Sequence, residues 1–466
     1  MSVSTRTFDA LPTQPAYNRA FCDGITWSVM CNRPVRRCTR TPREGHMNTN
    51  TRRTPIVIAL LLSSLSAAAA VSAQTVPDEP ATGNPSGLLP QPYSISKSVA
   101  LAGQLIGEDE LKPRSGIYPD LDNMITGAGW ISAGPGYRHS FLGGHGFADG
   151  SAAISWRAYL MAQARLEFRD LAAHHLAVGS QVRWHDFTQI DYFGQGSNSL
   201  DGDRSQYRLK DTDVVGYGKF AAKRWLGVTG TFGWLRHPSL SRASGPFQGG
   251  YPDTLVVFPN APGIAQQPDF LHGGVSVAAD TLDYRHHPMR GGLYRAAFSA
   301  YSDRDFGQFS FRRYEAEGLQ VLPIKENLWV LAVHGWGVFS DASSGNTVPF
   351  YMLPSLGGKD TLRGYEDYRF HDSNLLLASA ESRWALFRDI DVAAFFDAGN
   401  VAARAGDLDL RKTSWGGGIR VHTRTSTLAR LDVGHSRQGF RVFVSLSDPF
   451  HPQRLSRLTA AAPFEP

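Results

Sequence analysis

Leu356-Gly357-Gly358-Lys359-Asp360-Thr361-Leu362-Arg363-Gly364-Tyr365 is the stretch from which the rest of the chain is best read. Gly364 permits a close backbone approach or a positive φ at the tip of a loop. The planar fork of Arg363 suits a two-point grip on a carboxylate. Further along lies Phe395-Phe396-Asp397-Ala398-Gly399, the end of a segment in which Ile390, Val392, Ala394 and Phe396 alternate with Asp391, Ala393, Phe395 and Asp397. Such alternation with period two is the mark of a strand, and it puts Asp397 on the same face as Asp391.

The pattern repeats outward from there. In Leu428 to Val433, Ala429, Leu431 and Val433 oppose Arg430 and Asp432, and in Ile419 to Arg424, Ile419, Val421 and Thr423 oppose Arg420, His422 and Arg424. From about Asn123 to Phe450 short alternating segments are punctuated by Gly, Asp, Asn and Pro, which predicts many strands and no ordinary helix. Alternation alone fits a soluble sandwich as well as a barrel. The 47 glycines, and aromatic residues such as Tyr365, Tyr368, Trp384, Phe387 and Trp415 near strand ends, favour a barrel with interfacial girdles. A mean hydropathy of −0.26 agrees, because only alternate residues of such a barrel face lipid. The fold class read here is all-β: a closed transmembrane antiparallel β-barrel over residues 121–450. At roughly 20 residues per strand and connection, that length gives about 16 strands.

Ahead of the barrel, Met47 is read as the true start. Arg52 and Arg53, an apolar run from Ile56, and Val71-Ser72-Ala73 follow as the three parts of a secretory signal over 47–73. Residues 1–46 are then an over-extended N-terminus. They hold all three cysteines, Cys22, Cys31 and Cys38, so the exported chain from Gln74 has no thiol chemistry. They also hold seven arginines against Asp9, Asp23 and Glu44, and the signal adds Arg52 and Arg53, so the net charge of +5 falls to −1 on processing. That excludes the basic footprint of a nucleic-acid binder. Residues 74–120 are proline-rich and read as a linker, with Val99, Ala102, Leu105 and Ile106 predicting a short amphipathic helix over 96–111. Residues 451–466 are a C-terminal tail.

The Leu-Arg-Gly-Tyr loop and the Phe-x-Asp-x-Gly strand resemble the two signature motifs of the bacterial surface-antigen (BamA/TamA-like) superfamily of outer-membrane β-barrels. Asp283-Tyr284-Arg285-His286-His287-Pro288-Met289-Arg290-Gly291-Gly292 is similar to its mid-barrel turn. Leu375 to Glu381, Ser414 to Val421 and Arg441 to Phe450 look like its later strands, in family order. The resemblance implies that the loop of Leu362, Arg363, Gly364 and Tyr365 folds into the lumen. There Arg363 would meet Asp397, on a wall strand with Phe395 and Gly399, and Glu381 and Arg383 would extend the network. Phe440, Val442, Val444, Leu446 and Phe450 share one parity and resemble the C-terminal signal by which such barrels are recognised for insertion.

Two functions remain open at this point. The resemblance implies a role in outer-membrane protein assembly or translocation, with outer-membrane lipid, the barrel-assembly machinery and unfolded outer-membrane proteins as partners. Yet residues 74–120 are too short for the POTRA modules that capture substrates in this superfamily, so a passive pore or structural surface barrel is the alternative. The loop pair likewise has two readings, a staple that orders the loop or a gate. No catalytic residue, cofactor or metal is expected: there is no nucleophile elbow or phosphate loop, and His174-His175, His286-His287 and His451 lack metal-ligand spacing with nearby carboxylates.

Overall fold

The computed structural model describes residues 87–106, 115–120, 131–246, 250–325 and 328–450. A helix, α1 (Tyr93–Ile106), precedes β1 (Gly116–Asp120), β2 (Ser132–Phe141), β3 (Gly146–Ser155), β4 (Leu160–Asp170), β5 (Leu176–Tyr192), β6 (Ser205–Lys223) and β7 (Leu226–Arg242). Then come β8 (Phe270–Asp280), β9 (Gly291–Asp303), β10 (Phe311–Lys325), β11 (Trp329–Ala342), the two-residue strands β12 (Ser355–Leu356) and β13 (Phe370–His371), β14 (Asn374–Phe387), β15 (Ile390–Ala402), β16 (Lys412–His422), β17 (Thr427–Ser436) and β18 (Gly439–Ser445). All but β12 and β13 form one 16-stranded antiparallel sheet in which each strand pairs with the next, β11 passing directly to β14. The expected strand number is therefore met.

Side-chain alternation decides which way the sheet faces. On β15, Asp391, Ala393, Phe395 and Asp397 are buried while Phe396 is 50% exposed, and on β17 Arg430 and Asp432 are buried while Val433 is exposed. The polar residues thus lie on the enclosed face and the apolar ones outside, the reverse of a soluble protein and the arrangement required by a hydrocarbon surround. Trp234, Tyr294, Trp415 and Phe440 also stand outside. Tyr365 and Tyr368 do not, and here the girdle expectation is corrected: both are buried in the connection between β11 and β14, which turns inward.

Closure is the second correction. Among the described residues no ladder joins β1 to β18, so the sheet has two free edges. The local chemistry of β1 accounts for part of this. It is five residues long, and Pro119, which has no N–H, stands in register with Pro135 of β2, so this corner of the sheet is poor in donors. The sheet starts at Gly116 rather than 121 and its last strand stops at Ser445.

The third correction follows from that early stop. Phe440 and Val442 face outward as their parity requires, but Phe450 does not continue the row. Beyond Ser445 the chain reverses, and Phe450 is buried against Leu293, Leu319, Val321, Val330 and Ala332 on the inner face of β9, β10 and β11. An amide hydrogen bond from Phe450 to Asp448 Oδ1 (2.9 Å) shapes the reversal. Before the sheet, α1 begins at Tyr93, three residues earlier than expected; residues 107–111 lie outside the described ones, as do the proposed signal and the tail. The segment leading into α1 is anchored, since the Leu88 and Leu89 amides donate to Ala385 and Leu386 carbonyls, and the Asp389 amide to Gln91.

Candidate functional site

The connection between β11 and β14 supplies the loop quoted at the outset. β12 and β13 pair as Ser355↔His371 and Leu356↔Phe370, pinching residues 357–369 into a closed loop. Gly357 and Gly358 have φ of 115° and 96°, values that side chains resist, and a Cβ on Gly357 would stand 2.2 Å from the Glu366 carbonyl oxygen. Leu356, Leu362, Tyr365 and Phe370 then pack on Trp336, Val338, Leu375, Leu377 and Val401 of the inner wall. Burying these apolar groups seats the loop, and the polar tip has to be satisfied where it lands.

It lands on β14 to β17. The Arg363 guanidinium spans both oxygens of Asp397, with Nε to Oδ2 at 3.0 Å and Nη2 to Oδ1 at 2.8 Å, and the Arg363 backbone amide donates to Oδ2 at 3.1 Å. Ser414 Oγ donates a further bond to Oδ2 (3.2 Å). Arg363 Nη1 meets Glu381 Oε2, and the guanidinium lies 3.7 Å from the centre of the Phe395 ring. Gly364 is needed for a close approach and not for a positive φ: a Cβ there would be 2.6 Å from the His435 carbonyl oxygen. Opposite it, a Cβ on Gly434 would be 1.9 Å from the Arg363 carbonyl oxygen. Gly399 clears space in the same way for Leu356, whose Cδ1 would be 3.0 Å from an added Cβ.

The network extends beyond the expected residues. Glu381 accepts from Arg383 Nε (2.8 Å) and Arg420 Nη2 (2.9 Å), and Arg420 Nη1 donates to Asp432 Oδ1 (2.5 Å). Arg430 joins Asp432 to the loop by donating to Asp360 Oδ1 (2.8 Å) and the Lys359 carbonyl (3.1 Å). Arg383 reaches Asp448 (2.9 Å), so the reversed C-terminal segment belongs to the same assembly. Lys359, Arg363, Arg383, Arg420 and Arg430 are thus balanced by Asp360, Glu381, Asp397, Asp432 and Asp448, all of them buried. Burial by itself disfavours the Arg363 cation, but Asp397 and then Glu381 outweigh it and raise its pKa above the ordinary arginine value. A balanced, hydrogen-bonded array of this kind fixes geometry more than it adds stability, and breaking it leaves charges stranded.

The sequence reading thus brings together Leu362, Arg363, Gly364, Tyr365, Phe395, Asp397, Gly399, Glu381 and Arg383. It missed Arg420, Asp432, Arg430 and Ser414, although the strand parity that placed Asp397 inside carries the same signal for the first three. Gly434 and Asp448 had no local signal. The Leu362–Tyr365 loop, the Phe395–Gly399 strand and the turn from Asp283 to Gly292 all fall within 265–436, which match the Omp85 superfamily domain. Those residues carry an Omp85 superfamily domain. The resemblance drawn from the Leu-Arg-Gly-Tyr and Phe-x-Asp-x-Gly motifs is borne out by this match. Among solved structures the chain is similar to BamA from Haemophilus ducreyi lacking POTRA domains 1–3, at 14% identity and a TM-score of 0.48, over 72% of this chain and 70% of that one. It is also similar to CdiB from Escherichia coli, at 14% identity and 0.46 over 72% and 64%, and to CdiB from Acinetobacter baumannii, at 11% and 0.42 over 71% and 59%. No curated protein sequence matches the chain.

The sheet also holds residues that sequence spacing could not join. His287, on the turn between β8 and β9, meets Asp391 and His422 of the wall, three buried groups from distant parts of the chain. The absence of metal-ligand spacing around His286-His287 was therefore no guide to its surroundings.

Proposed function

We propose that this chain is an integral outer-membrane protein, exported by its signal sequence, whose lumen loop gates the passage or membrane insertion of polypeptide substrates. The observation that carries the reading is the docking of Arg363 on Asp397 and Glu381. The loop occupies the interior, and Arg363 supplies its bonds to both Asp397 and Glu381. Loop-side residues fill the same lumen further up: Phe350, Tyr351, Met352 and Tyr368 pack with Tyr192, Tyr207, Phe270 and Phe311. A steady water-filled pore is poorly served by such an interior. Among the described residues the β18 edge is unpaired and offers backbone donors and acceptors to a substrate strand, which in hydrocarbon would otherwise be left unsatisfied.

Lipid of the outer membrane is then the constant partner, and unfolded outer-membrane proteins, delivered by barrel-assembly machinery, are the substrates. The test is to reconstitute the purified protein in lipid vesicles and follow the folding of an unfolded outer-membrane barrel added outside. Faster folding than in empty vesicles, lost in Arg363→Ala, supports the gate. Folding at the empty-vesicle rate contradicts it and leaves a structural surface barrel.

A further inference from the structure

The turn between β8 and β9 crosses to the opposite part of the wall instead of lying at the rim. Its Asp283 Oδ1 accepts from the Tyr284 amide (2.9 Å) and the Met289 amide (3.0 Å), which holds the turn in shape. The Thr427 amide donates to the His286 carbonyl (3.0 Å), tying the turn to the connection between β16 and β17. Leu282 and Met289 rest on the cluster around Phe450. His287 is thereby carried into the interior beside β15 and β16.

Three donor atoms converge there. His422 Nδ1 lies 2.8 Å from the Thr423 carbonyl, which can only accept, so that nitrogen carries a proton, and Nε2 presents a lone pair when the ring is neutral or a second N–H when it is protonated. Nε2 faces Asp391 Oδ1, 3.2 Å away, an oxygen with only lone pairs to offer. His287 Nδ1 is 3.2 Å from Thr427 Oγ1, and its Nε2 is buried, has no hydrogen-bond partner and lies 3.5 Å from Asp391 Oδ2. Such a group is held together by a proton shared with Asp391 or by a cation among the three.

We propose that His287, His422 and Asp391 bind a divalent transition-metal cation of the zinc class, which clamps the β8–β9 turn to the wall. Two imidazoles and one carboxylate are a donor set that suits Zn2+, Cu2+ or Ni2+ and not Mg2+ or Ca2+, and three protein ligands leave a fourth position for water. The two Nε2 atoms lie 3.2 Å from Oδ1 and 3.5 Å from Oδ2 of Asp391, and one donor atom of each residue lies within 4.8 Å of the other two, so they must draw in to reach the edge of about 3.3 Å of a tetrahedral ion with bonds of about 2.0–2.1 Å. Each histidine has its other nitrogen on an oxygen, the outer support that ligating histidines use. The rings are stacked at 13° with centroids 3.8 Å apart, so an ion held by both Nε2 atoms requires the two rings to splay. Arg383 and Arg420 are the nearby cations, and their charges are taken up by Asp448, Glu381 and Asp432.

The test uses the whole chain, purified, stripped with a chelator and titrated with Zn2+ alone by calorimetry. Co2+ absorption serves as a second readout of tetrahedral nitrogen and oxygen ligation. One Zn2+ per chain is expected, with affinity reduced at least about tenfold in His287→Ala and in His422→Gln, and unchanged when the exposed pair His174 and His175 is replaced by alanine. Zn2+ is also expected to slow tryptic cleavage after the exposed Arg290 in the wild type but not in His422→Gln. Heat-modified migration on gels identifies any variant that has failed to fold, and for these the Co2+ spectrum of the wild type carries the decision. No stoichiometric binding by the wild type means that the cluster shares a proton and nothing else, and overturns the site. Equal binding by the wild type and folded His287→Ala overturns it as well.

Discussion

Arg363 holds Asp397 by three donors at once, two from the guanidinium and one from its own backbone amide, with a fourth contact from Ser414 Oγ. The side chain and the backbone of the loop are therefore fixed by one carboxylate. Asp397→Ala is expected to destabilise the docked loop by about 3–5 kcal/mol, because a buried guanidinium is left with only Glu381. Arg363→Lys keeps the charge and loses the fork, so it should cost less than Arg363→Ala yet fail to restore wild-type docking. Denaturant unfolding of the reconstituted barrel, arranged as a double-mutant cycle between the two positions, measures the coupling. A coupling energy near zero would mean that the loop is seated by its leucines alone.

Gly434 is a more exacting position than any of the loop glycines. Alanine there places a methyl group 1.9 Å from the Arg363 carbonyl oxygen, and the nearest atoms are backbone on both sides, so neither can yield cheaply. Gly434→Ala is expected to cost at least about 1–3 kcal/mol and to release the loop. Gly218→Ala on β6 is the matched control, since nothing lies within 4 Å of its added Cβ. Comparable stability in the two variants would show that the loop does not lie flat on β17.

Asp367, in the loop itself, gives the docking a pH dependence. Burial pushes its carboxyl up to about 7, with Arg157 opposing and Asp191 adding to the shift. A raised carboxyl pKa means that the native protein binds this proton more tightly than the unfolded chain does. The stability due to it is complete below the ordinary carboxyl range and is lost as pH rises to about 7. The unfolding midpoint of Asp367→Asn relative to wild type should therefore climb between pH 4 and pH 7 and then level off. A constant difference across that range would place Asp367 in contact with solvent.

Phe450 and Phe440 test the reversal of the C-terminus. Phe450→Ala removes a ring from the cluster on β9 to β11 and should cost about 3–5 kcal/mol. Phe440→Ser alters a residue that is 67% exposed on the outer face, so it should disturb membrane seating and leave the lumen network intact. Cysteine accessibility at the two positions, probed with a membrane-impermeant reagent and with a lipid-soluble one, distinguishes the inside from the outside. Labelling of both by the lipid-soluble reagent alone would restore a continuous outward strand through Phe450.

What the sequence revealed was whatever depends on the period of two. Asp391, Asp397, Arg420, Arg430 and Asp432 could all be put on one face because strand parity is a local property of a few residues. The motif loop was legible for a different reason, since its resemblance carried the Arg363–Asp397 contact across a long separation. The failures are contacts with neither support. Tyr365 and Tyr368 look like girdle residues until their loop is known to turn inward, and Phe450 leaves its strand through a reversal that parity cannot register. His287 meets Asp391 and His422 only because the β8–β9 turn crosses the interior, and free edges at β1 and β18 depend on how the first and last strands lie.

Closure of the lumen by the Arg363 loop is read out by single-channel conductance in planar bilayers. Purified wild-type protein is predicted to be mostly closed, with Arg363→Ala flickering to open states as the loop leaves Asp397. A large, steady wild-type conductance that the substitution does not change would contradict the gate and identify a passive pore.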